Sequence, residues 1–121
     1  MHGRLRKRNE TKVILCLYKN MHEQSMQDVY MNAKRAGYLF FPYHSFIDYQ
    51  GVVHEGRDKE AVASADFMDN EVAYTILVDT TSKARATAKQ KLAVEDLLKL
   101  YPQANVMEFE GDIHEDKILQ S

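Results

Sequence analysis

The sequence predicts an α/β fold: a single-domain mixed β-sheet flanked by helices. Three observations carry this reading. Residues 12–18 and 71–79 form nearly continuous apolar runs rich in β-branched side chains, as strands buried on both faces require. Residues 23–36 and 85–101 instead place apolar side chains at helical spacing. Between the two halves, residues 43–54 alternate and turn at Gln50 and Gly51, which reads as a hairpin.

Taken in order, the first strand at 12–18 leads to a helix at 23–36. That helix carries Met26, Val29, Tyr30 and Ala33 on one stripe, with Gly37 placed to end it. In the hairpin, Tyr43, Ser45 and Ile47 should share one face, and His44, Phe46 and Asp48 the other. Residues 58–70 show weak periodicity and are expected to form a loop with a short helical turn. After the strand at 71–79, the helix at 85–101 presents Ala93, Val94, Leu97, Leu98 and Tyr101, and Pro102 stops it. Residues 105–109 read as a last strand, and the tail from Gly111 is polar.

A chain of 121 residues, 45% apolar and 28% charged, suits one compact domain at 11–121. Its formal net charge of −2 gives no general attraction to nucleic acid. Residues 1–10, with Arg4, Arg6, Lys7 and Arg8, read as a basic flexible arm. One cysteine, Cys16, excludes an intramolecular disulfide and reads as a small core residue. The charged start lacks an apolar stretch behind it, so no secretory leader is expected, and no run is long enough to span a bilayer. These features together predict a cytoplasmic protein without membrane partners.

Tyr43-His44, the turn at Gly51, and Gly56-Arg57-Asp58 followed by Ala61-Val62 form the most distinctive stretch. Asn70 to Val78 and the spacing of Gln90, Leu92, Leu97 and Leu98 follow it in order. Together they resemble the zinc-dependent N-acetylmuramoyl-L-alanine amidases, a family that includes the amidase-type bacteriophage lysozymes and the peptidoglycan recognition proteins. The resemblance runs from about Lys12 to about Ile113, with Ala73 where the family usually has glycine. It implies an amidase-like fold for residues 11–121.

Zinc catalysis in that family needs three protein ligands and an open position for water. The resemblance places the first ligand at Leu17, the second at Glu110 and the third at Ile118, with Asp116 where a lysine or threonine usually precedes it. Leucine and isoleucine have no donor atom for a metal. Replacement ligands would have to come from residues such as His22, Glu110 and His114. The expectation is therefore a protein with no metal, no cofactor and no catalytic residues.

A cleft without its metal can still bind. Tyr43 matches the tyrosine that stabilises the tetrahedral intermediate in phage amidases, and His44 belongs to the same signature. Arg57 can hold a carboxylate or phosphate, although an ion pair with Asp58 or Asp48 is an alternative role. Tyr18, Lys19 and Asn20 fall where the first ligand would be and are expected at the rim. The ligand-binding set is thus Tyr43, Arg57, Tyr18, Lys19, Asn20 and His44. Three functions stay open. One is an inactive, phage-encoded protein binding a small anionic ligand, such as a muropeptide or a nucleotide immune signal. Another is a regulator that binds a protein partner. The third is an amidase with atypical metal ligands.

Overall fold

The computed structural model describes residues 11–37, 41–57 and 72–111. The arm at 1–10, the segment at 58–70 and the tail bearing His114, Asp116 and Ile118 lie outside the described residues. Five strands and two helices follow one another as β1 (Val13–Lys19), α1 (Met26–Arg35), β2 (Ser45–Ile47), β3 (Val53–Glu55), β4 (Ala73–Asp79), α2 (Ala88–Leu98) and β5 (Asn105–Glu110). They build one mixed sheet in the order β3-β2-β4-β1-β5. β1 pairs in parallel with both β4 and β5, and β2 in parallel with β4. Among the described residues, only the β2–β3 hairpin is antiparallel.

The two apolar runs become the sheet's centre because their side chains are buried on both faces. Alternation along β1 sends Leu15 and Leu17 to the α1 side, where they meet Val29, Phe46, Leu77 and Phe109. It sends Ile14, Cys16 and Tyr18 to the α2 side, where they meet Ile47, Tyr74, Ile76 and Val94. Burial pushes the Cys16 thiol up to about 12, consistent with a packing role.

α1 starts where the Ser25 side chain accepts the Asp28 N–H, and the chain leaves it through Gly37 at φ 104°. Val29 is buried and Met26 and Ala33 pack against the same cluster, but Tyr30 is exposed. Tyr30 sits about 100° round the helix from Val29, off the stripe predicted for it, and lies under the Lys34 ammonium instead. α2 is shorter than the predicted 85–101 because Thr87 caps it in a reciprocal box with Gln90, and residues 83–85 form a separate 3-10 turn.

Gln90 is 1% exposed and uses its whole amide. Its Nε2 donates to the backbone oxygens of Asp48 (3.0 Å) and Asp79 (2.7 Å), while its Oε1 accepts the Thr87 N–H. The start of α2 is thereby tied to the ends of β2 and β4. Gln90→Leu keeps the volume but removes the side-chain donor from the Asp79 and Asp48 oxygens, of which Asp48 keeps the Gly51 N–H, and takes the acceptor from the Thr87 N–H; each group left unsatisfied costs about 1–3 kcal/mol. We expect a loss of about 2–4 kcal/mol by urea unfolding; a loss within error of zero would show that the tie is dispensable.

Candidate functional site

The end of β1 holds the position that the resemblance assigns to the first zinc ligand. Leu17 is 1% exposed and packed among Phe46, Leu77 and Phe109, with Met21, Met26 and Tyr43 against the same cluster. It lies level with Phe109 on β5, so Glu110, level with Tyr18, points to the opposite face. There the Glu110 carboxylate accepts the Lys83 N–H at 3.1 Å. The two positions that the resemblance assigns to the first and second zinc ligands therefore face away from each other. Hydrocarbon surrounds one and a backbone amide engages the other. This donor set does not fit a zinc ion. Among the described residues, no three His, Cys, Asp or Glu side chains converge as metal ligands would.

Tyr18 corrects a second expectation. It is not on the rim with Lys19 and Asn20 but buried on the α2 side, where its hydroxyl donates to Glu108 at 3.3 Å. Burial first, then the neighbouring Cys16 and Glu108, push its phenol well above the usual range. The Lys83 ammonium in turn bridges to Glu108 at 2.9 Å.

Lys19 and Asn20 do open the turn that follows β1. That turn places His22 and Glu23 at φ 61° and 57°, a region side chains seldom adopt. Three successive N–H groups find acceptors there. Asp79 takes those of Met21 (2.7 Å) and Glu23 (3.0 Å), and the Asn20 side chain takes that of His22 (2.8 Å). The turn is a small anion cradle already filled by the protein's own carboxylate. Burial outweighs these bonds and raises the Asp79 carboxyl above its ordinary value, with Glu23 adding to the effect.

The remaining residues gather at the hairpin. Tyr43 departs from the predicted alternation: β2 begins only at Ser45, and Tyr43 packs on the α1 side while Ser45 and Ile47 face α2. His44 is buried, and its Nδ1 accepts the Thr75 N–H at 2.9 Å while its ring stacks on Tyr74. Nδ1 therefore carries no proton. Arg57 is 7% exposed. Its backbone N–H donates to the Tyr43 oxygen (2.8 Å) and its Nε to the Phe41 oxygen (2.9 Å). Gly56 permits this docking, since a Cβ there would lie 2.3 Å from the Phe41 ring and 2.6 Å from the Tyr43 oxygen. Asp48 pairs with His54 at 2.8 Å, not with Arg57.

Of the six sequence-predicted residues, His44 and Arg57 share a cavity of about 610 Å³ on the α2 side, with Ser45, Tyr74, Leu97 and Leu100. Lys19 and Asn20 share the turn after β1, and Tyr43 and Tyr18 lie on opposite faces. Ser45, Tyr74, Leu97 and Leu100 were not read as site residues in the sequence. The Ser45 and Tyr74 hydroxyls, bonded at 2.5 Å, look locally like ordinary strand residues.

The arrangement defines an amidase and peptidoglycan-recognition fold. The chain superposes on the endolysin N-acetylmuramoyl-L-alanine amidase LysCS of Clostridium intestinale with a TM-score of 0.73 at 19% identity, covering 88% of this chain and 73% of that one. The peptidoglycan recognition protein PGRP-Hd of Alvinella pompejana gives 0.72 at 16% identity over 86% of this chain and 77% of its own. Bumblebee PGRP-SA gives 0.73 at 12% over 96% and 78%. At such identities the likeness is one of fold. No protein-family model matches the sequence. No curated protein matches it significantly either. No helix among the described residues is long and apolar enough to cross a membrane.

The perturbed carboxyls of Asp48 and Asp79 act on stability with opposite signs. Burial alone would raise Asp48, but bonds from His54, Val52 and Gln50 outweigh it and leave the group below its ordinary 3.8. A lowered carboxyl stabilises the fold above its unfolded value and loses that contribution as pH falls through the folded value. Asp79 is raised, so its protonation favours the fold. Acidification from neutral pH should first add stability as Asp79 takes its proton, then remove it below about 3.8 as Asp48 does. Thermal melts across pH should show this rise and fall. Asp79→Asn should abolish the rise, and a rise that persists in that variant would exclude Asp79 as its source.

Proposed function

We propose that this is an amidase-fold protein that binds a small anionic ligand and does not hydrolyse it. The observation that carries the reading is Leu17: the position expected to supply the first zinc ligand is a buried hydrocarbon inside an apolar cluster. Binding needs only ground-state complementarity, whereas hydrolysis would need a polarised amide and an activated water. Of the ligand-contacting residues proposed from sequence, Arg57 and His44 are favoured because they line one cavity. Tyr43, Lys19 and Asn20 are the alternative set, on the α1 side and at the end of β1, and Tyr18 contributes through packing.

Among ligands, a peptidoglycan-derived muropeptide is preferred to a nucleotide signal, since the similar structures include proteins named for peptidoglycan recognition. The resemblance to phage amidases supports a phage gene whose product acts in the host cytoplasm.

Incubation with a muramoyl peptide, with and without added zinc, tests the reading. We expect saturable binding by calorimetry and no released peptide by mass spectrometry. Zinc-dependent release would instead establish an amidase with atypical ligands. Leu17→His alone should restore no activity, because Glu110 still faces the other side.

A further inference from the structure

We propose that β5 joins two copies of this chain edge to edge, as an antiparallel pair about a two-fold axis at Met107. The proposal goes beyond the ligand reading and does not depend on it, since it draws on the rim of the sheet and on no cavity.

β5 ends the sheet on one side, and its strand neighbour among the described residues is β1. The Asn105 N–H donates to the Lys12 oxygen and the Gly111 N–H to the Tyr18 oxygen. The two-residue period of a strand therefore turns the backbone groups of odd positions toward β1 and those of Val106, Glu108 and Glu110 outward. Such a row of amides and carbonyls is a template for a further strand. The opposite rim, β3, is only three residues long, whereas β5 has six. Val106 on the α2 side and Met107 on the α1 side remain 44% and 39% exposed. Apolar surface thus borders the row on both faces.

Charged side chains and proline ordinarily keep an edge from pairing. β5 has no proline and no lysine, and its two glutamates are engaged within the chain. Lys83 bridges to Glu108 at 2.9 Å and Tyr18 donates to the same carboxylate, while Glu110 accepts the Lys83 N–H.

Self-pairing has one favourable register. A two-fold axis normal to the sheet keeps each side chain on its own face, so odd positions oppose odd and even oppose even. Centring the axis on Glu108 sets two carboxylates directly against each other, which is destabilising. Centring it on Val106 pairs only 105–107 of the strand. Centring it on Met107 pairs 105–109, with Val106 opposite Glu108 and no glutamate opposite a glutamate. Val106 and Glu108 then exchange backbone bonds across the axis, and the two Met107 residues form a non-hydrogen-bonded pair with Cα atoms about 4.5 Å apart. An edge that complements itself in this way commits the site to a second copy of the chain. Two strands of this length bury less than the roughly 1,200 Å² of stable complexes, so the dimer is weak, with a dissociation constant on the order of 100 µM.

Sedimentation velocity of the full-length protein tests this, over loading concentrations from about 5 to about 500 µM that bracket such an affinity. The protein should pass from monomer to dimer. Val106→Pro removes an outward N–H and spares the bonds to β1. The loss counts once in each copy, so it should weaken the dimer about tenfold. Met107→Lys sets like charges on the axis and should also weaken it, with the monomer's amide spectrum otherwise unchanged. Met107→Cys should cross-link the dimer in air, because that Cα separation suits a disulfide, and Val106→Cys should not. A monomer throughout, or assembly beyond the dimer, would overturn the proposal. So would a dimer that Met107→Lys leaves at full strength, or one that Met107→Cys fails to cross-link. These last two results decide the matter even if Val106→Pro does not fold.

Discussion

A single carboxamide holds the ends of three elements together. Gln90 accepts from Thr87 to start α2 and donates to the last carbonyls of the β2 and β4 region, at Asp48 and Asp79. Those two residues are themselves anchors. Asp48 gathers the Gln50 and Val52 amides into the hairpin turn, and Asp79 gathers the Met21 and Glu23 amides into the turn after β1. A buried donor between two carbonyls is strong where water is absent, and the whole cluster is satisfied only as a set. Every site discussed above hangs from one of these turns or from the sheet between them.

Face parity decides what the sheet can do chemically. Leu17 and Phe109 occupy one face, and their neighbours Tyr18 and Glu110 the other. A polar group at 110 cannot be aimed at position 17 by any rotamer change, because one residue along a strand is half a turn of the pleat. The opposite face carries polar networks of its own. There Tyr18, Glu108 and Lys83 form one network and the His44–Tyr74 stack forms another.

Most of the architecture was legible. β1, β4, both helices and β5 each carry their own periodicity, and Gly37 and Gly51 mark their turns with positive φ. Local pattern failed where tertiary partners decide. The chain after Pro42 bends before β2 begins, which put Tyr43 on the α1 side against the simple alternation. Tyr18 looked like a rim residue because it ends the apolar run beside the expected first-ligand position, but its strand continues to Lys19 and its phenol finds Glu108 on a distant strand. His44 and Arg57 were legible as candidates, whereas their cavity was not. Its remaining walls come from the β2–β3 hairpin, from β4, and from the end of α2 and the residues just after it, brought together only by the sheet order.

The central position of β1 has a kinetic consequence. Val13 pairs with Ala73 on one side and Asn105 on the other, both far along the chain. Every residue from Ile14 to Tyr18 is nearly solvent-free in the finished sheet, and although α1 follows closely and covers Leu15 and Leu17, both strand partners come much later in the chain. Long loops must close before these parallel pairings return any energy, which places the protein among slow folders of high contact order. During synthesis, the segment VILCLYK must wait unpaired until β4 emerges. Until then it is open to self-association and to capture by chaperones.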